Sequence, residues 1–210
     1  MIIARSPLRI TLGGGGTDLA SYYEDHEGFL IAAAIDKYVY VTVMRPFTEG
    51  IYLKYSQLEH VDKVEQVQHP IIREALGLMD FRTPQVEITT LADIPAGTGL
   101  GSSGSFTTAL LKALYTHRKR HIHQEELAEL ACHIEIDRLD EPIGKQDQYA
   151  ATYGGIIQME IDRLGNVTVT PLDLHQEVVN ELENRLMMFY TNIERDANSI
   201  LEDQNRNIRS

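Results

Sequence analysis

A single cysteine, Cys132, stands among the 210 residues, so no internal disulfide can form. It falls in a stretch of helical apolar spacing and reads as a small core residue. No run of about 18 apolar residues is present, which argues against a membrane-spanning helix. The opening stretch, MIIARSPLRITL, lacks the basic start and cleavage site of a signal peptide. These absences suit a cytoplasmic location. Positive charge is also scarce: 19 Lys and Arg face 31 Asp and Glu, a net charge of −12. So acidic a chain is a poor match for nucleic acid or an anionic membrane. The one basic run, HRKRHIH, reads as a solvated helix end where cations complement the dipole. Internal repeats are absent, and low complexity is confined to two glycine clusters. The remaining composition, 43% apolar and 24% charged, is that of a globular protein with one large or two small domains.

The second glycine cluster is GTGLGSSGS, Gly97 to Ser105. Before it, Val86 to Leu91 has the β-branched character of a strand. After it, Phe106, Ala109, Leu110, Ala113 and Leu114 recur at helical spacing. The cluster therefore sits at a helix N-terminus, where free N–H groups and the helix dipole favour an anion. Glycines there take backbone angles closed to other residues and present no Cβ to a guest. The natural guest is a phosphate, held without lysines, which suits so acidic a chain. No Lys-Ser or Lys-Thr follows the last glycine, so a Walker loop is excluded. GLGSSG satisfies G-x-G-x-x-G, but a dinucleotide site needs a strand ending in an acidic residue about 20 positions on. Glu125 and Glu126 stand there within HQEELAELACHIEIDRL, whose Leu127, Leu130, Ala131 and Ile134 are spaced as a helix.

PAGTGLGSSGSF resembles the central ATP-binding motif of the GHMP kinases, the superfamily of galactokinases, homoserine kinases, mevalonate kinases and phosphomevalonate kinases. The resemblance implies that Pro95, Gly97, Gly99, Leu100, Gly101, Ser102, Ser103 and Gly104 bind ATP. It further implies that a loop serine and a glutamate of a following helix ligate Mg²⁺. Glu135 is that glutamate, and Ser103 is favoured over Ser102.

The first glycine cluster, PLRITLGGGGTDLASYY, reads as a strand from Leu8 to Leu12 followed by a helix capped by Thr17 or Asp18. In the GHMP kinases the first motif carries a basic residue in the strand and lines the substrate site. Arg9 occupies that basic position. PLRI followed by GGGTDL departs from the Gly-Glu-His type sequence of galactokinase and mevalonate kinase. It is similar to the branch that phosphorylates D-glycero-D-manno-heptose 7-phosphate at the anomeric hydroxyl, with fucokinases nearby. Gly14, Gly15, Gly16, Thr17 and Asp18 are then expected to meet the sugar, with Asp18 accepting hydrogen bonds from its hydroxyls. A polar GTD also suits a sugar better than an isoprenoid substrate.

The third site is EPIGKQDQYAATYGG. Asp147 follows a Pro-Ile-Gly turn and by itself reads as a turn residue. An Asp-Gln pair carries the catalytic aspartate in galactokinases, so the resemblance makes Asp147 the base. Lys145 is expected to lower the Asp147 pKa or to touch the transferred phosphoryl group, and Arg9 to offset charge on it.

The implied fold is α+β, a ribosomal-protein-S5-like N-terminal domain over residues 1–175, with a truncated C-terminal domain beginning over 176–210. The expected strands are Leu8–Leu12, Tyr38–Met44, Ile51–Tyr55, Val86–Leu91, Gly155–Glu160, Val167–Thr170 and Leu186–Tyr190. The expected helices are Asp18–Glu24, Pro70–Leu78, Ser103–His117, Gln124–Leu139 and Ala197–Asn207. The family's third glycine-rich motif is absent from the chain. The function implied is an ATP-dependent sugar 1-kinase, with fucokinase, galactokinase or a non-catalytic nucleotide- or sugar-binding fragment as alternatives. Its partners would be ATP and a small-molecule sugar phosphate, with no nucleic acid and no membrane; a homodimer is the assembly considered.

Overall fold

Alternation in YVYVTVM puts Val39, Val41 and Val43 on one side of a strand, and all three are buried. That strand, β2 (Gly28–Met44), is the spine of the fold in this computed structural model, which describes residues 1–79 and 85–191. One edge of β2 pairs antiparallel with β1 (Ile2–Gly13). The other edge is shared: its first part pairs with β6 (Ile156–Ile161) and its second with β5 (Gln85–Ala92), both antiparallel. Beyond β5 lie β3 (Gly50–Lys54), parallel to it, and β4 (Leu58–Val61), while β7 (Val167–Pro171) completes the far end. The result is a seven-stranded sheet, and the α+β class expected of the sequence holds.

The α-helices among the described residues are α1 (Ala20–His26), α2 (Pro70–Leu78), α3 (Ser102–His117), α4 (Gln124–Cys132), α5 (Gln146–Tyr153) and α6 (Gln176–Arg185). Of these, α3 and α5 pack on the sheet, α2 and α4 pack against them, and α6 buries no side chain. The main core joins Val39, Val41, Val43, Ile51, Ile88, Leu110 and Leu114 between sheet and helices. A second cluster under α5 joins Leu30, Ala32, Ala150, Tyr149, Ile157 and Met159. Small side chains at Ala32 and Ala150 let α5 sit close to the sheet, and Cys132 is buried in this cluster, as expected.

Several elements depart from expectation. β2 starts at Gly28, not Tyr38, because its first part holds an alanine run with no strand signature, and pairing with β6 decides its state. α4 ends at Cys132 and continues as a π-helical turn, His133–Arg138. Asp147 lies on α5, not in a turn. Leu186–Tyr190 is not a strand: the segment is irregular and each side chain is at least half exposed, since no sheet edge pairs with it. The helix expected at Ala197–Asn207 lies outside the described residues.

Candidate active site

The glycine-rich loop joins β5 to α3, and its stretch from Pro95 to Gly99 is largely exposed. Gly97, Gly99 and Gly101 have φ of +75°, +76° and +78°, angles that side chains adopt only under strain. Gly101 immediately precedes α3, so the free N–H groups of Ser102, Ser103 and Gly104 stand where the loop ends. Gly104 also serves packing: a Cβ there would lie 2.7 Å from the Asp147 Cβ, so α3 and α5 touch at this point.

Arg9 and Asp147 meet beside that contact. The Arg9 Nε donates to Asp147 Oδ1 at 2.6 Å, and Nη2 approaches the same oxygen at 2.5 Å. Arg9 also holds the loop, through Nη1 to the Gly99 carbonyl at 2.8 Å and its backbone N–H to the Leu100 carbonyl at 3.0 Å. The side chains of this pair remain 16% and 27% exposed, so a ligand can reach both.

Asp18 behaves otherwise than the sequence suggests. The residue preceding α1 is Leu19, and neither Thr17 nor Asp18 caps that helix. Asp18 is buried, and its Oδ2 accepts the Gln146 N–H at 2.9 Å, at the start of α5. Burial raises its pKa above the usual carboxylate value, opposed by that N–H. Gln146 is tied further to β1 by Nε2 to Thr11 Oγ1 at 2.7 Å. The Thr17 hydroxyl donates to the carbonyls of Gly14 and Phe29. The exposed part of this cluster is thus the backbone of Gly14 and Gly15. Gly144 makes room for Asp18: a Cβ at 144 would lie 2.0 Å from Asp18 Oδ2. Gly144→Ala is expected to destabilise the protein by about 1–3 kcal/mol, the usual cost of overpacking. Thermal unfolding checks this, and an unchanged Tm would mean the Asp18 pocket yields freely.

Lys145 bonds groups other than Asp147. Its ammonium lies 3.1 Å from Glu129 Oε1 and donates to the Gly165 carbonyl at 2.8 Å. These partners bind it to α4 and to the β6–β7 turn, and Tyr149 shares the same Glu129 oxygen. Among the described residues the side-chain hydrogen bonds and ion pair of Lys145 run to these groups and not to Asp147.

Ser103 and Glu135 come together. Ser103 Oγ donates to Glu135 Oε2, and Gln148 Nε2 donates to Glu135 Oε1 at 3.1 Å. The π turn after α4 widens the helix at a single place and delivers Glu135 inward to 1% exposure; such turns recur at functional sites. Burial pushes the Glu135 pKa up to about 7, against the hydrogen bonds that favour its anion. A carboxyl with a folded pKa above its unfolded value contributes stability that is complete at low pH and lost as pH rises through the folded pKa. Wild-type protein should therefore lose about 3 kcal/mol relative to Glu135→Gln between pH 4.5 and pH 7. Denaturant unfolding of both proteins across that range checks this, and parallel profiles would contradict it.

The donor set suits a nucleotide with Mg²⁺. Ser103 and Glu135 offer hard oxygens beside the exposed glycine loop, and Mg²⁺ is usually held by one or two carboxylates plus phosphates and water. Among the described residues no group of three or more His, Cys, Asp or Glu could hold a metal alone. A concavity of about 400 Å³ elsewhere is lined by His26, Glu27, Phe29, Glu160, Asp162 and Asn166, and none of the site residues borders it.

Residues 64–155, which contain the glycine loop, Glu135 and Asp147, match the GHMP kinases N terminal domain family. The chain is 32% identical, over 96% of its length, to D-glycero-alpha-D-manno-heptose 7-phosphate kinase of Campylobacter jejuni. It covers 62% of that relative, less than two thirds. A crystal structure of a D-glycero-D-manno-heptose 1-phosphate kinase from Bacteroides thetaiotaomicron superposes with a TM-score of 0.82 at 29% identity, covering 87% of this chain and 63% of that one. A putative sugar kinase from Campylobacter jejuni gives 0.76 at 27% identity, covering 98% and 67%. No helix among the described residues is long and apolar enough to cross a membrane.

The sequence pattern assigned no role to Gln146, to the Gln148 amide or to Gly144. The signal for all three lay in GKQDQ: two uncharged amides beside a carboxylate at a helix start, one residue after a glycine and a lysine.

Proposed function

We propose that the protein transfers the γ-phosphoryl group of ATP to the anomeric hydroxyl of D-glycero-D-manno-heptose 7-phosphate, giving the 1,7-bisphosphate. The observation that carries this reading is the Arg9–Asp147 pair, fastened to the glycine loop through Gly99 and Leu100 and still open to a ligand. The likeness to heptose-phosphate kinases supports the substrate class.

The parts take these roles. Backbone N–H groups of the loop and the start of α3 receive the phosphates. Mg²⁺, held by Ser103 and Glu135, would offset phosphate charge when bound. The sugar lies against the exposed backbone of Gly14 and Gly15, whose loop Thr17 and Asp18 brace from within. Asp147 orients the sugar hydroxyl and takes its proton, and Arg9 faces the charge that develops on the transferring group. Positioning and electrostatics supply most of what phosphoryl transfer requires. We place the domain boundary near residue 175, after β7, and the location in the cytoplasm.

The test is release of ADP by the protein with ATP, Mg²⁺ and heptose 7-phosphate. The heptose 1-phosphate named for one relative gives the same bisphosphate, so the two heptose phosphates are supplied separately. Turnover of the 7-phosphate alone supports the anomeric reading. Turnover of the 1-phosphate alone moves the reaction to the other end of the sugar. Turnover of fucose or galactose alone replaces the heptose reading.

A further inference from the structure

Gln148 follows Asp147 on α5 and is fully buried. One end of its amide is used: Nε2 donates to Glu135 Oε1. The other end, Oε1, is shielded from solvent and has no hydrogen-bond partner among the described residues. A buried carbonyl without a partner calls for an explanation, an absent water or ion being one.

We propose that Gln148 is a positioning residue for the divalent cation: its Nε2 fixes the Glu135 carboxylate, and its Oε1 accepts a hydrogen bond from water bound to the cation. The proposal rests on the reading of the protein as a cation-dependent kinase.

Two observations and the chemistry of the cation converge on it. The Glu135 carboxylate is held at both oxygens, Oε2 by Ser103 and Oε1 by Gln148, so its plane cannot turn away from the serine. Gln148 itself has little freedom, because α3 presses on its backbone at Gly104, where a Cβ would lie 3.0 Å from the Gln148 N. Finally, Mg²⁺ keeps several of its waters, and this site supplies only two protein donors. Those waters are strong donors that need acceptors, and the vacant carbonyl belongs to the same amide that touches Glu135. An apolar side chain of similar length would fill the space between α3 and α5 equally well. The polar one earns its place only if both ends are used. Outer partners of this kind tune metal affinity by about 10–100-fold.

The test uses Mn²⁺ as probe, its free concentration followed by electron paramagnetic resonance in the presence of a non-hydrolysable ATP analogue. Gln148→Met should raise the Mn²⁺ Kd by roughly 10–100-fold. Affinity for the analogue in EDTA, measured by calorimetry, should not change. Should the Met variant fail to fold, Gln148→Asn carries the same expectation, since it keeps an amide but withdraws it by one methylene. Mn²⁺ binding equal to wild type in a folded variant overturns the proposal. So does an equal loss of metal-free nucleotide affinity, which would mark a purely structural role. A wild-type protein that binds the analogue but responds to no cation overturns the proposal together with the cation site of the kinase reading.

Discussion

Asp147→Asn should lower kcat by roughly 10²–10⁴ while leaving nucleotide affinity close to that of the wild type. Asn keeps the size of Asp and an oxygen for Arg9, so the local geometry persists. What disappears is the charge, and with it the ability to take the sugar's proton. The Asp147 side chain also packs against α3 at Gly104, and Asn makes the same contact, so folding is not at issue. Steady-state kinetics with heptose 7-phosphate, beside calorimetric titration with a non-hydrolysable ATP analogue, separate the two quantities. Near-normal turnover in the variant would remove Asp147 from the chemistry.

Gly101→Val is expected to harm both binding and turnover. A valine at φ +78° is strained by about 1–3 kcal/mol, and the strain lies in the loop proposed to receive the phosphates. Its Cβ alone would stand 3.1 Å from the Asp147 Cγ and 3.2 Å from the Arg9 Cγ, with two further methyls beyond. Phosphate contact is therefore not the only thing disturbed, because the same substitution pries at the ion pair. Nucleotide affinity and kcat should fall together, in contrast to the Asn variant. An unchanged Kd for the ATP analogue would mean that the loop is not a phosphate cradle.

Local signals carried much of the fold. The glycine loop, α2, α3 and the strand alternation of β2 and β5 could be read from spacing, because each has its own periodicity or turn chemistry. The beginning of β2 could not: its alanines favour a helix, and only pairing with β6 makes them a strand. Leu186–Tyr190 shows the converse, a strand-like composition with no partner edge. In the site, Arg9, Ser103, Glu135 and Asp147 were legible through their motifs, and the structure brings them together in two adjoining pairs. Lys145 stands two positions from Asp147 in sequence, yet its side chain bonds Glu129 and Gly165, because one helical residue can face away from the next but one. Asp18 misled because a helix follows it, yet the N-terminus it caps is that of a different helix. Nothing in a local pattern announces a bond between residues 128 positions apart.

Those separations bear on how the protein is made. Arg9 meets Asp147 across 138 positions, Thr11 meets Gln146 across 135, and Asp18 meets Gln146 across 128. β1 and the first glycine cluster leave the ribosome early, with β2 as their available partner. Loop closure over so long a stretch is entropically costly and slow, and such contacts form late in folding. A nascent chain can therefore complete β1, β2 and β5 and settle α3 before any of these pairings exists. Arg9 and Asp18 can gain these partners only once α5 has been synthesised and docks, so the first and the last written parts of the candidate site are assembled in one step.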